Sequence, residues 1–206
     1  MTLEKKLLKY VKSHFNFYWP ELLKLFKLGN EFKKPEIFLD KKYNVSYFLD
    51  DKIAINFKLA LDAYGGKKFK KYKFLFPYEI CLKDDIIHET VHYLHSHYYP
   101  VDKKEYDPYP ESLALLATYE IMLRHKDSRL YAICLIADCL KKSNKTIKLI
   151  DGVFRLKKSE KEFLKKILQK KYNPKGIPKE HVEGFILGCK LKKKLKNYHD
   201  YIIFFY

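Results

Sequence analysis

Arginine, glycine and paired cysteine are what this sequence has little of. Glycine and proline number 7 and 8 in 206 residues. So little of either excludes a low-complexity or collagen-like chain and leaves few sharp turns. The four cysteines are Cys81, Cys134, Cys139 and Cys189, and none is spaced Cys-x-x-Cys. That excludes a zinc ribbon or a redox pair, and free thiols in a reducing cytoplasm are expected. No stretch reaches the roughly 18 apolar residues that a membrane helix needs. The first residues, Met1-Thr2-Leu3-Glu4-Lys5, carry charge where a signal peptide would be apolar. A soluble, cytoplasmic protein with no membrane partner is expected.

What is present is a core-forming chain with a lopsided charge. It is 47% hydrophobic and 33% charged, which fits a globular protein and not a disordered one. Lys+Arg total 42 against 25 Asp+Glu, a net charge of +17. The surplus is lysine, since arginine stands only at Arg124, Arg129 and Arg155. Two readings of this surface stay open. Lysine with much Tyr, Ile and Phe suits a thermophile's solvated surface. It also suits contact with a polyanion such as nucleic acid, although a base reader would carry more arginine.

Along the chain, Leu3, Leu7, Leu8, Val11 and Phe15 recur at helical spacing behind a Thr2 cap, and Pro20 is expected to open a second short helix. Short strands are expected at Glu36 to Leu39, Val45 to Leu49 and Ile53 to Asn56, with Asp50-Asp51-Lys52 as the turn between the last two. Asn56 is placed to cap a short helix. Gly65-Gly66 and the following lysines read as a loop, and Lys73 to Phe76 as one more strand. Helices are then expected at about 84–97, from Glu111, and at about 128–142, 159–171 and 179–195.

The chemistry concentrates in His88-Glu89-Thr90-Val91-His92. Residues four apart on a helix project from one face, so both imidazoles can reach one metal ion. Glu89, one step round from His88, is placed to act as general base on a water at that metal. Ile87, Val91 and Leu94 give the helix an apolar face. A tetrahedral zinc site needs a third protein ligand. His95 and His97 point elsewhere on an unbroken helix, and are expected in the solvent or lining a cleft, with an outer-partner role open to them. Glu111, nineteen residues after His92 and just after Pro110, is the better candidate. Glu120 is its rival, on a different helical face.

This pattern resembles the gluzincin clan of zinc metallopeptidases, and most of all the small archaeal minigluzincins and SprT-like domains. The resemblance spans roughly residues 36–125. It implies zinc held by His88, His92 and a downstream helix glutamate, with Glu89 as base in peptide hydrolysis. It also implies that Lys52-Ile53-Ala54-Ile55-Asn56 acts as the strand that pairs with an extended substrate. Two departures stand out. Leu115 occupies the place where gluzincins often carry an acid that steadies a motif histidine, and no third histidine lies where SprT-like domains take one. His125, His181 and His199 are far along the chain. A gluzincin would also hold its oxyanion with a tyrosine or histidine, and Tyr93, Tyr98, Tyr99, Tyr106 and Tyr109 are all near.

The expected architecture is α+β. A zincin-like catalytic domain spans 1–127, with a small mixed β-sheet, the motif helix and the glutamate helix. A mainly helical C-terminal region spans 128–206. Its lysine pairs, such as Lys141-Lys142, read as solvated faces or as a polyanion-binding surface. The apolar tail Tyr201 to Tyr206 could pack into the core or fill the active-site cleft and inhibit the enzyme. The reading is therefore a zinc-dependent peptidase acting on peptides or proteins. The alternative is a non-catalytic basic module that binds nucleic acid or protein.

Overall fold

The computed structural model describes residues 1–29, 31–97, 108–170, 174, 176–195, 197–198 and 200. The chain is mixed α and β and mostly helical, with seven α-helices and two small sheets among these residues. It divides into two compact units, Met1–Pro100 and Val101–Tyr206. The expected boundary at 127–128 lies inside the second unit, because the helix that begins near Glu111 packs on the C-terminal helices.

The first unit opens with helix α1 (Leu3–Phe26). Thr2 caps it as expected, its hydroxyl accepting from Lys5 N–H at 3.4 Å. Pro20 does not divide it, contrary to the expected pair of helices. Proline removes one bond to the carbonyl four residues back. The helix continues because Phe15, Trp19, Leu22, Leu23 and Phe26 bury one stripe on both sides of Pro20, which itself faces solvent. Tertiary burial of that stripe outweighs the local defect.

Strands β1 (Glu36–Asp40), β2 (Tyr47–Leu49) and β3 (Lys52–Asn56) form a mixed sheet in the order β1-β3-β2. β2 and β3 are the hairpin expected across Asp50-Asp51, with Asp50 at φ 53° in the turn. β3 runs parallel to β1. Asn56 ends β3 and caps α2 (Phe57–Tyr64), accepting from Leu59 N–H at 2.7 Å. Beyond Gly66, at φ 68°, the lysine-rich stretch is not a loop. β4 (Lys68–Lys71) pairs antiparallel with β5 (Phe74–Pro77). Phe69 faces Phe76 across this ribbon, so a pair of aromatics holds strands whose outward lysines mask the pattern.

Helix α3 (Tyr78–Ser96) follows at once and carries the motif. From Ile86 to His95 it is buried on almost every side. It packs on α1, α2 and the three-stranded sheet. Tyr93 fixes it further by donating to the Lys33 carbonyl at 2.8 Å.

In the second unit, α4 (Pro108–Arg124), α5 (Lys126–Lys142), α6 (Lys158–Gln169) and α7 (Lys179–Lys192) pack as a helical cluster. α4 lies closest to α7. At Gly188 a side chain would meet Leu116 Cγ and the Ser112 carbonyl oxygen, each at 2.8 Å, so the two helices meet backbone to backbone there. Arg129 on α5 grips Glu160 of α6 through Nε–Oε1 at 2.5 Å and Nη2–Oε2 at 2.8 Å. No described helix is long and apolar enough to cross a membrane. The tail Tyr201 to Tyr206 lies outside the described residues.

Candidate functional site

Helix α3 brings His88 and His92 together as the spacing predicts. Their Nε2 atoms stand 3.0 Å apart, and both rings are buried. Two imidazole nitrogens at tetrahedral angles on one zinc would be about 3.3 Å apart, given zinc–nitrogen bonds of ~2.05 Å. The observed pair needs a shift of only a few tenths of an ångström to fit. Phe48 of β2 stacks on the His92 ring at 5.7 Å and 13°, fixing its plane. Glu89, one residue on from His88, is half-buried.

The other histidines of this helix differ from expectation. His95 is neither solvent-facing nor lining a cleft; it is 1% exposed. Burial, with His92 adding, pushes its imidazole down to about 4, so it is neutral at physiological pH. The apolar surroundings that anchor α3 enclose it. His97 is exposed, with its Nδ1 2.9 Å from the Tyr93 carbonyl oxygen. Among the tyrosines near the motif, Tyr93 is buried and spends its hydroxyl on Lys33. Tyr98, Tyr99 and Tyr106 and the side chain of Tyr109 lie outside the described residues.

The expected substrate strand also differs. Lys52, Ile53 and Ala54 of β3 have partners on both sides, Glu36, Ile37 and Phe38 of β1 and Leu49, Phe48 and Tyr47 of β2. A central strand has no edge to offer there. The edge strand beside His92 is β2, through Phe48.

A carboxylate that sequence reasoning passed over lies one turn before His88. Asp85 accepts from the Ser46 hydroxyl at 2.6 Å, and Ser46 Oγ accepts from Asn56 N–H at 3.1 Å. Burial holds Asp85's carboxyl above its ordinary value, opposed by the Ser46 hydroxyl and by His88. Burial and the neighbouring Asp85 push Asp84 up to about 8, opposed by Lys71. The signal in the sequence was only an acid three residues before a histidine; Ser46, 39 residues earlier, could not be read from it.

In the second unit, Glu111 stands in the first turn of α4, partly buried, with its Oε2 3.4 Å from His181 Nε2 of α7. Glu120, its rival, is held by Arg124 at 2.6 Å. His181 was set aside as too distant in sequence, and only the packing of α7 on α4 brings it to Glu111. Leu115 is buried.

The chain matches no family model, no curated protein and no solved structure.

Proposed function

We propose that this chain is a zinc-dependent peptidase with a zincin-like catalytic site. The observation that carries this reading is the buried pair of Nε2 atoms, 3.0 Å apart on one helix, with Glu89 beside them. His88 and His92 supply two ligands and Glu111 the third. Two imidazoles and a carboxylate are the kind of donor set that suits a zinc keeping an open position. Glu111 is preferred to Glu120, which pairs with Arg124 at 2.6 Å, closer than the 3.4 Å between Glu111 and His181. Zinc bound there supplies Lewis acidity toward the scissile carbonyl. Glu89 takes a proton from the attacking water and passes it to the leaving amine nitrogen. The extended substrate adds along the open edge of β2, in place of β3.

Elemental analysis of the purified protein, wild type beside His92→Ala, tests the reading. About one zinc per chain is expected in the wild type and none in the variant. Glu111→Ala should lose zinc where Glu120→Ala keeps it. Glu89→Gln should keep fold and zinc and lose hydrolysis in a peptide-library assay.

One observation favours a second reading, a basic module for an anionic partner. A groove of the second unit is lined by Lys142, Lys145, Lys179 and Lys190, against one acid, Glu183, and by Val182, Ile186 and Leu187. A wild-type protein that takes up no zinc, even when zinc is added back, would favour this reading over the first.

A further inference from the structure

We propose that the groove lined by the end of α5 and one face of α7 binds a short peptide segment in which acidic side chains alternate with aliphatic ones. This rests on the anionic-partner reading of that groove, which it narrows to a peptide, and it does not depend on the zinc site. The α7 residues of the groove, Lys179, Val182, Glu183, Ile186, Leu187 and Lys190, fall at i, i+3, i+4, i+7, i+8 and i+11, so they form one stripe of the helix. Lysines stand at both ends of that stripe, with Val182, Ile186 and Leu187 between them. Ile186 and Leu187 are partly exposed, so an apolar side chain can reach them. At about 1.5 Å of rise per residue the stripe is roughly 16 Å long, the reach of about five extended residues. The groove's volume, about 510 Å³, lies in the range of sites that hold small ligands.

The charge of the lining selects the ligand. Lys142 donates to the Ile177 carbonyl oxygen, and Lys179 lies 3.5 Å from Glu183. Lys145 and Lys190 are exposed and make no ion pair among the described residues. Two cations therefore remain for a partner's carboxylates, Lys145 just past the end of α5 and Lys190 near the end of α7. A lysine ammonium is a compact charge that takes a carboxylate without a fixed approach. Glu183 works against a ligand that is anionic at every position, and in favour of one whose acids are spaced apart. A nucleic acid matches the lining less well. Single strands are held by stacking bases on aromatic rings or on arginine, and the lining has neither. Aliphatic side chains of a peptide instead find Val182, Ile186 and Leu187, and their burial drives binding without needing a direction.

The test is fluorescence anisotropy on the full chain with four labelled probes: a Glu/Leu peptide, a Glu/Ser peptide of equal charge and length, a Lys/Leu peptide and single-stranded oligothymidine. The groove variant carries Lys145→Glu and Lys190→Glu. A control variant carries the same charge change on α1, as Lys9→Glu and Lys12→Glu; all four lysines are exposed, so both variants should fold. The wild type should bind the Glu/Leu peptide about tenfold more tightly than the Glu/Ser peptide, and the Lys/Leu peptide not at all. The groove variant should lose about tenfold or more in affinity for the Glu/Leu peptide, and the control about twofold or less. Equal losses in the two variants, or no loss in the groove variant, would place the binding elsewhere and overturn the proposal. So would a Lys/Leu peptide bound as tightly as the Glu/Leu one. Equal affinity for the Glu/Leu and Glu/Ser peptides, or oligothymidine bound more tightly than the Glu/Leu peptide and lost in the groove variant, removes this inference and leaves the anionic-partner reading standing. Wild type that binds none of the probes removes both together.

Discussion

Among individual residues, Arg129 and Glu160 make a forked, largely buried contact in the second unit. Its side chains are 21% and 14% exposed, so solvent screens it less than the surface pairs. Arg129 also donates to the carbonyls of Leu123 and Arg155. Burial alone would raise the Glu160 carboxyl, but the Arg129 guanidinium and the Lys157 backbone N–H hold it below its ordinary value. A carboxyl depressed in the folded state stabilises fully above its unfolded pKa, and that contribution is lost as pH falls through the lower folded value. Glu160→Gln should therefore cost about 1–3 kcal/mol at neutral pH. In denaturant titrations from pH 7 to pH 3, the variant should lose stability less steeply than the wild type below about pH 4.5. Equal slopes would show that the pair does not report on acid unfolding. The other acid that matters here, Asp85, could not have been found by spacing alone. Its partner Ser46 arrives through the sheet, and long-range hydrogen bonds leave no local periodicity.

For elements, legibility followed locality. The Thr2 and Asn56 caps, the Asp50-Asp51 turn and the motif helix depend on neighbours within a few residues, and each could be read directly. β4 could not, because the lysines of Lys68–Lys71 hide an aromatic pairing that needs its partner strand. The role of Lys52–Asn56 was misassigned for the same reason: a strand's own residues do not say how many neighbours it has. Pro20 misled because the local penalty is real and the burial that outweighs it is distributed along 24 residues. If that account is right, Pro20→Ala restores the bond to the Asn16 carbonyl at an exposed position. It should raise stability by about 1–3 kcal/mol in chemical denaturation. A lower stability would mean that the chain uses a bend at this point.

For the whole molecule, the balance of charge dominates. With 42 basic and 25 acidic residues, the basic side chains outnumber the acids by 17. The pairs that do form, such as Lys33–Asp51 and Lys41–Glu4, are mostly exposed and contribute little. Self-repulsion should then outweigh surface attraction. Raising sodium chloride from 20 to 200 mM should lift the melting temperature by about 2–4 °C, the equivalent of ~1 kcal/mol for a chain of this size. A falling melting temperature would assign the net effect to attractive networks instead.

The close approach at Gly188 bears on where this chain can be shortened. Glu111 sits one residue before Ser112, whose carbonyl oxygen is among the atoms that tolerate no side chain at position 188. A truncation ending after α4 would keep every proposed ligand, and by motif alone would look like a minimal catalytic fragment. It would also strip away the helix against which α4 is seated, exposing Leu116 and removing His181 from the side of Glu111. A fragment that keeps Glu111 seated therefore has to reach a glycine 77 positions beyond it, and cannot stop at the last of the proposed ligands.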